Sequence, residues 1–290
     1  IFATAQLGWK SKLYLDVTGR VDWSSALAWT EAKSVAYPSV GLSAILTELL
    51  PIKNDVLTFL KVRGSYSEVG NAPTRYIAYQ TYPYESASPT TATTYPNTDI
   101  KPERTKAWEV GLQSHLWNDK LELNVSLYKT STYNQLFNPS LPSSSGYSSI
   151  YINGGQVDNK GIEASLTLNQ PLGPVKWNST FTYTLNRNKI KKLLKPTTLS
   201  GGEVVSQDMM DLGGLEIVKS RLFEGGSIGD LYVTALRTDH HGYIDVDYVN
   251  NTVAIDDKAG ERKDGWIYAG NSQAKYMMGW RNSFSWKGLT

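Results

Sequence analysis

The chain has 290 residues, a net charge of +2 and no cysteine. Its length allows one large β domain or two smaller ones, and its near-neutral charge gives no reason to expect a nucleic-acid partner. The lack of cysteine excludes disulfide frameworks, cysteine zinc sites and thiol nucleophiles, and the lack of any run of about 18 apolar residues excludes a spanning helix.

Nine segments of the sequence are predicted to be strands. Most of them alternate apolar and polar residues, which places the two kinds of side chain on opposite faces of a strand. In the second segment, Leu13, Leu15 and Val17 alternate with Asp16 and Thr18. The nine segments are residues 1–9, 12–22, 37–46, 56–68, 108–116, 121–127, 161–169, 175–187 and 275–286.

The connections between these segments alternate in length. Short links follow Trp9, Leu46, Trp117 and Asn169, and long connections follow Asp22, Glu68, Ser131 and Asn188. A meander of this kind has two unlike ends, as an outer-membrane β-barrel has with its short periplasmic turns and long external loops. We therefore predict an all-β fold class: an antiparallel up-and-down meander that forms part of a large transmembrane β-barrel with long external loops.

Segment length favours this barrel over a soluble sandwich. Several segments reach the roughly 9–11 residues that a tilted strand needs to cross a bilayer, whereas globular strands average about 5–6 residues. Alternation itself does not discriminate, because a half-buried sandwich strand has the same period. A soluble β-rich carbohydrate-binding module, a β-fold hydrolase with carboxylates converging in a cleft, and a purely structural barrel with a filled lumen stay open as alternatives.

Turn signals and the longest connection give more local expectations. The Asn118-Asp119 pair predicts a two-residue hairpin turn between the fifth and sixth segments. The connection 188–273 is expected to carry structure of its own, because a coil of that length is unusual in a compact domain. Extra strands there should be even in number, so that the strands before and after the connection keep their alternating directions. Residues 225–229 read as a tight loop turn, since no lysine follows as in a phosphate-binding loop.

No catalytic, metal or cofactor site is predicted. His115 falls on the polar face of a strand, where a hydrogen-bonding role is expected. His240 and His241 are adjacent, and on an extended backbone their rings would diverge. Four acidic residues in the same connection are read as solvated charge, because the twelve-residue calcium-loop pattern is absent. They are Asp245, Asp247, Asp256 and Asp257.

Aromatic residues supply the candidate ligand contacts. Tyr76, Tyr79, Tyr82 and Tyr84 lie in one long connection and are predicted to stack against a ligand such as a sugar ring. Packing of these rings against one another to stiffen the loop is the alternative. Four tryptophans near strand ends suit the aromatic girdles of a membrane barrel instead. They are Trp9, Trp117, Trp177 and Trp286.

A set of short stretches resembles the C-terminal barrel of SusC/RagA-type TonB-linked outer-membrane transporters, which are found in Bacteroidetes. The most specific stretch is residues 101–112, Lys-Pro-Glu-Arg-Thr-Lys-Ala-Trp-Glu-Val-Gly-Leu. The other stretches follow in family order and cover nearly the whole chain. They are residues 37–41, 60–66, 69–71, 133–136, 145–147, 159–163, 186–189 and 224–229.

The resemblance implies a compartment, a function and partners. It places residues 1–290 in the outer membrane as one partial receptor barrel, with the plug, the first barrel half and the last strands outside the chain. It implies uptake of a glycan or a peptide without covalent chemistry, with contact to outer-membrane lipid. It also implies a SusD-like lipoprotein as partner, and TonB acting through the absent N-terminal part. Such a piece by itself is expected to form an open sheet with exposed edges.

Overall fold

The computed structural model describes residues 1–52, 54–82, 84–85, 88–89, 92–139, 141, 143–198, 204–207, 209–215, 217–249, 251–287 and 289. For residues 84–85, 88–89, 195–198, 204–207 and 212–213 the description covers the backbone alone. Within these residues nine strands form one antiparallel sheet, which we call the wall. They are β1 (Phe2–Trp9), β2 (Leu13–Trp23), β3 (Ser34–Ile45), β4 (Leu57–Asn71), β5 (Glu103–Leu116), β6 (Leu121–Phe137), β7 (Ile152–Leu172), β8 (Val175–Lys192) and β9 (Met277–Ser285).

Each wall strand pairs with its neighbour in the chain, so the wall is an up-and-down meander. The links 10–12, 46–56, 117–120 and 173–174 lie at one end, and the connections 24–33, 72–102, 138–151 and 193–276 lie at the other. The predicted fold class and its unlike ends are confirmed. The wall stays open, with β1 and β9 as its two edges.

Several wall strands are longer than predicted at the long-connection end. β5 begins at Glu103 rather than at 108, β6 continues to Phe137, and β7 begins at Ile152. In these extensions both faces carry polar residues, so the alternation that defines a half-apolar strand is lost. The backbone ladder continues nonetheless, because its hydrogen bonds do not depend on side-chain polarity.

The short links are closed by residues with a left-handed backbone. Asn118 and Asp119 have φ values of 55° and 65°, and the Lys120 N–H donates to the Trp117 carbonyl over 3.4 Å. The predicted turn is confirmed, and its ladder resumes at Leu121. The second short link carries the helical turn α1 (Leu46–Leu49). No helix in the described ranges is long and apolar enough to cross a membrane.

The cross-strand register separates apolar and polar side chains onto two faces. On the apolar face Leu15 lies opposite Leu42, and on the polar face Gln113 lies opposite Asn124. Apolar side chains remain uncovered on their face, as Val110 shows with 62% of its surface exposed. In water an apolar surface of this extent is unfavourable, so this face requires an apolar medium or a covering partner.

The longest connection carries a second sheet, which confirms that it has structure of its own. Four antiparallel strands, in spatial order Met209–Leu215, Val218–Phe223, Asp230–Thr234 and Trp266–Asn271, form what we call the loop sheet. With Leu194–Thr198, Val204–Gln207, Val246–Asp247 and Thr252–Val253, eight strands lie in the described part of this connection, an even number as predicted.

The loop sheet packs against the polar face of the wall at the long-connection end. Leu222 of the loop sheet joins a buried cluster with Val157 of β7 and Ile190 of β8. Asn188 of β8 accepts hydrogen bonds from Ser227 Oγ at 2.7 Å and from the Ile228 N–H at 2.8 Å. The longest connection therefore folds over the polar side of the wall and not over its apolar side.

Shorter elements complete the other long connections. Their 3-10 turns are Ser25–Leu27 and Ser143–Ser145, and their short strands are Tyr84–Glu85 paired with Ser88–Pro89 and Thr94–Tyr95 paired with Ser149–Ile150. The pairing of Thr94–Tyr95 with Ser149–Ile150 ties the second long connection to the third.

Candidate functional site

A polar cluster lies on the polar face of the wall. Arg63 of β4 places Nη2 2.6 Å from Ser126 Oγ on β6 and 3.3 Å from Glu109 Oε1 on β5. The register places Glu163 of β7 opposite Ser126. Four strands thus bring together groups of both charge signs and a hydroxyl. This surface offers hydrogen bonds to a polar solute.

Glycines on the same face give the largest polar side chains their space. A Cβ on Gly111 would lie 2.7 Å from Arg63 Nε, so the guanidinium crosses β5 directly over this glycine. Gly161 likewise leaves room for the ring of Tyr128, whose hydroxyl would lie 2.5 Å from an added Cβ. Two hollows of about 280 and 230 Å³ open beside these groups, and both are lined by Ser126.

The predicted tyrosine group is partly assembled around a tryptophan from another connection. Trp29 stacks on Tyr79 with ring centroids 5.2 Å apart and contacts Tyr76 at 6.0 Å. Tyr76, Tyr79 and Tyr82 each expose more than half of their surface. The side chain of Tyr84 lies outside the described residues. The arrangement has rings that stack on each other and also rings that face solvent, so it is compatible with both roles expected of these tyrosines.

A cavity of about 710 Å³ opens beside the loop sheet. At its base Arg221, only 5% exposed at its side chain, forms ion pairs of 2.9 Å with both Asp211 and Asp264. Its guanidinium also lies 5.2 Å from the ring of Trp266 and 5.6 Å from that of Phe223. A buried cation is costly unless it is paired, and here two carboxylates and three aromatic rings, the third being Tyr232 at 6.0 Å, share that task.

The rest of the cavity lining combines aromatic and charged residues with three glycines and one isoleucine. It consists of Glu224, Gly225, Gly226, Tyr232, Gly260, Glu261, Arg262, Ile267 and Tyr268. Burial raises the pKa of Tyr232 above its ordinary value, and the carboxylates of Asp230 and Glu261 add to the rise. The Tyr232 hydroxyl, neutral near pH 7 as in any tyrosine, is able to donate a hydrogen bond in this cavity, and the shift extends that neutral range to higher pH. A cavity with these groups suits a ligand that has both apolar surface and charged or polar groups.

The histidines and acids of the sequence have local roles. His115 Nδ1 lies 2.7 Å from Asp119 Oδ1, which fits the hydrogen-bonding role predicted for it. The expectation that His240 and His241 diverge is wrong: their ring centroids lie 3.8 Å apart, because the backbone turns here instead of running extended. Asp245 pairs with Arg237 at 2.8 Å.

Among the residues that the structure describes, no group of three or more histidine, cysteine, aspartate or glutamate side chains is placed to hold a metal ion. Asp256 instead accepts from the Lys258 N–H at 3.0 Å, as a turn residue does.

The four tryptophans assigned to a girdle all lie at the short-link end. Trp9 ends β1, Trp117 begins the third short link, and Trp286 follows β9. Trp177 lies near the start of β8 and stacks on Phe284 with an angle of 4° between the rings. Lysine ammonium groups lie over two of these rings, from Lys10 and Lys287, as expected where an aromatic residue meets both lipid and water.

Sequence reasoning missed the loop-sheet cavity and the Arg63 cluster. In the sequence, 45 positions separate Arg221 from Trp266, with Tyr232 between them, and no periodic pattern joins the three residues. The available signal was the density of aromatic and charged residues in one connection. Arg63 was visible within a strand, but its partners depend on a register that a single strand does not reveal.

Comparison with known proteins gives a consistent result. The family model described as "TonB dependent receptor-like, beta-barrel" matches residues 1–276. "TonB-dependent receptor P3" of Formosa agariphila is 28% identical over 242 residues, which cover 80% of this chain and 24% of that protein. "TonB-dependent receptor P26" of the same organism is 24% identical and covers 99% of this chain and 30% of its own length.

Among solved structures, the RagAB peptide transporter superposes with a TM-score of 0.76 at 20% identity, covering 99% of this chain and 32% of that one. The RagAB peptide importer in its "open-open" state gives 0.77 at 19% identity, covering 99% of this chain and 31% of that one. At these identities the likeness concerns the fold. The chain spans about a quarter to a third of the length of these relatives and structures.

Proposed function

The chain belongs to the TonB-dependent receptor β-barrel family of the outer membrane, and from this premise we propose that it forms part of the wall of a nutrient transporter. The whole protein would take up a glycan or a peptide, driven by TonB. Residues 1–290 supply barrel strands and external loops, while the plug and the other barrel strands belong to the remainder of the protein.

The observation that carries this proposal is the difference between the two faces of the wall. The apolar face meets lipid, and a closed sheet in lipid leaves no unpaired backbone groups. The polar face, with Arg63, Glu109 and Ser126 in hydrogen-bond contact, suits the wall of an aqueous lumen. A soluble carbohydrate-binding module is not supported, because wall strands of up to 21 residues leave one whole apolar face uncovered.

Two surfaces on the long-connection side support the binding of a ligand before it enters the lumen. One is the ring group of Trp29, Tyr76 and Tyr79, to which Tyr82 and Tyr84 are proposed to add contacts. The other is the loop-sheet cavity around Arg221. The RagAB structures are of a peptide transporter, which supports a peptide, whereas exposed stacked rings also suit sugars.

A SusD-like lipoprotein is the proposed partner on the long-connection side. TonB would act through the part of the protein that precedes this chain, and so the chain is not proposed to transport alone. The family consists of receptors and transporters and not of enzymes, and we propose that no covalent step accompanies uptake.

The test uses the full-length protein in its native membrane and follows uptake of labelled peptide and oligosaccharide pools. Replacing Trp29 and Tyr79 together by alanine removes the stacked pair and should weaken ligand binding about 3- to 10-fold, the value of one aromatic contact. Tyr248→Ala, at a ring that is 85% exposed in the same external region, is the control and should leave binding unchanged. Uptake that persists without TonB would contradict the proposed function as a whole.

A further inference from the structure

Positively charged side chains are concentrated on the apolar side of the wall, immediately beyond its apolar part. In the register, Lys129 of β6 lies opposite Lys160 of β7, which in turn lies opposite Arg187 of β8. The next positions along the same face include Lys106 and Lys189. We call six residues on this face the basic belt: Arg104, Lys106, Lys129, Lys160, Arg187 and Lys189.

The height of the belt corresponds to the outer surface of a membrane. Lys129 lies opposite Trp108, whose ring contacts Tyr66 at 4.5 Å. This ring pair is the upper counterpart of the tryptophans at the short-link end. From Leu121, where β6 begins, to Lys129, the strand rises about 20 Å along a barrel axis at a tilt of about 40°. The apolar band of such barrels is about 25 Å tall, so the belt lies near the upper edge of the band, where the alternating apolar residues of β6 end.

The belt carries more positive charge than its carboxylates neutralise. Glu68 pairs with both Arg104 and Lys106 at 3.6 Å. Asp158 lies on the same face opposite Lys189 and attracts Lys129, so six cations face two carboxylates. In the described part of the chain no carboxylate lies within 4.0 Å of the ammonium groups of Lys129, Lys160 or Lys189, and all three side chains are exposed. The excess of positive charge is confined to the apolar side of the wall.

On the polar face of the wall, at the same height as the belt, the side chains of these strands are uncharged. Thr130 lies opposite Asn159, and Asn159 lies opposite Asn188. A general basic character of this end of the wall would have appeared on both faces. The charge therefore belongs to the surface that meets the surroundings of the barrel.

The direct juxtaposition of cations needs an explanation. Like charges on directly opposed residues of neighbouring strands destabilise a sheet, and here Lys129, Lys160 and Arg187 form such a row. The loop sheet supplies no anion to this row, because Leu222 anchors it on the opposite face. An external anion at this place would remove the repulsion.

We propose that the basic belt binds the phosphate groups of the phosphorylated glycolipid that forms the external leaflet of the outer membrane. Lysine ammonium groups attract phosphate as point charges. The guanidinium of Arg187 donates from Nη1 to the carbonyls of Asn186 and Lys275, and its Nε and Nη2 are the groups proposed to contact phosphate oxygens. With strands about 4.8 Å apart, the row of three cations extends over about 10 Å. This width suits a headgroup with more than one phosphate better than a phospholipid with a single one.

The experiment measures lipid binding to the purified full-length protein in detergent by native mass spectrometry. The probes are a short-chain lipopolysaccharide, the same lipid after enzymatic removal of its phosphates, and phosphatidylglycerol. The test variant combines Lys129→Gln, Lys160→Gln and Arg187→Gln. The control combines Lys10→Gln, Lys120→Gln and Lys287→Gln, which remove the same charge at the short-link end.

The test variant should bind lipopolysaccharide about a hundredfold more weakly, as expected when three basic residues near an anionic lipid surface are lost. The control should bind as the unaltered protein does, and the unaltered protein should lose most of its affinity when the phosphates are removed. Without lipid, the test variant should be at least as stable as the unaltered protein, because the cation row is relieved. Unchanged binding by the test variant, or equal affinity for phosphatidylglycerol, would overturn the proposal. Uptake by the variants is measured separately, so that failure of the lipid-binding proposal is distinguished from failure of the proposed transport function.

Discussion

The wall and the loop sheet are both antiparallel sheets, yet they are stabilised in different ways. The wall has long ladders and two exposed faces, so its side chains depend on lipid and on lumen water. The loop sheet has four short strands and is organised around one buried cation, Arg221. Pairing between side chains thus stabilises the loop sheet, whereas the wall is stabilised by contact with lipid and lumen water. Substitutions should therefore have sharply different effects in the two sheets.

The largest expected effect is on the loop sheet, from Arg221→Met. Loss of one member of a buried ion-pair group leaves Asp264 without its partner and Asp211 with Lys219 alone, 3.7 Å away, which costs about 3 kcal/mol when, as here, the carboxylates are partly exposed. Proteolysis between residues 209 and 271 of the full-length protein should become about a hundredfold faster. The wall should keep its β-sheet circular dichroism.

Arg237→Met is the matched control for Arg221→Met. Arg237 pairs with Asp245 in the same connection, but both side chains are largely exposed, so the substitution should cost no more than about 1 kcal/mol. Adding Asp211→Leu and Asp264→Leu to Arg221→Met should restore part of the lost stability. If Arg221→Met and Arg237→Met were equally resistant to protease, the loop sheet would not be organised around Arg221.

A smaller effect is expected in the wall from Gly161→Ala. The new Cβ would overlap the Tyr128 hydroxyl and the Leu185 carbonyl oxygen, and only the tyrosine is able to move away, so overpacking should cost about 1–3 kcal/mol. Thermal unfolding of the barrel, followed by its gel mobility after heating, should occur at lower temperature. Gly41→Ala, on the same face, meets Asp16 Cβ and Ser65 Cβ at no less than 3.9 Å and should be tolerated. Equal thermal stability of the two variants would contradict the tight fit at Gly161.

The smallest effect is a pH dependence confined to the loop sheet. Burial holds the pKa of Tyr232 above its ordinary value of 10, so folding favours the neutral hydroxyl. The stability contributed by this shift is fully present below pH 10 and is lost as the pH rises through the raised folded pKa. Protease resistance of residues 209–271 should therefore decline in this alkaline range, and less steeply in Tyr232→Phe. Tyr248→Phe, at a tyrosine of the same connection that is 85% exposed, should behave as the unaltered protein; an identical decline in all three proteins would exclude Tyr232 as the cause.

The basic belt and the polar cluster show where sequence reasoning reaches its limit. Lys129, Lys160 and Arg187 were each visible as charged residues near the ends of predicted strands. Their alignment depends on two register choices, and a shift by one residue would move each to the other face. The contact of Arg63 with Ser126 crosses 63 positions and requires Gly111 in the strand between them.

The sequence by itself determined the nine wall strands, their order, their two unlike faces and the two unlike ends. These properties depend on a side-chain period of two residues and on connection lengths, both of which are local. The tertiary structure alone decided which distant residues meet: the Arg221 group, the Trp29 stack on Tyr79, and the row of belt cations. Such contacts arise from register and loop packing, because a strand reveals which face a residue occupies but not what will lie opposite it.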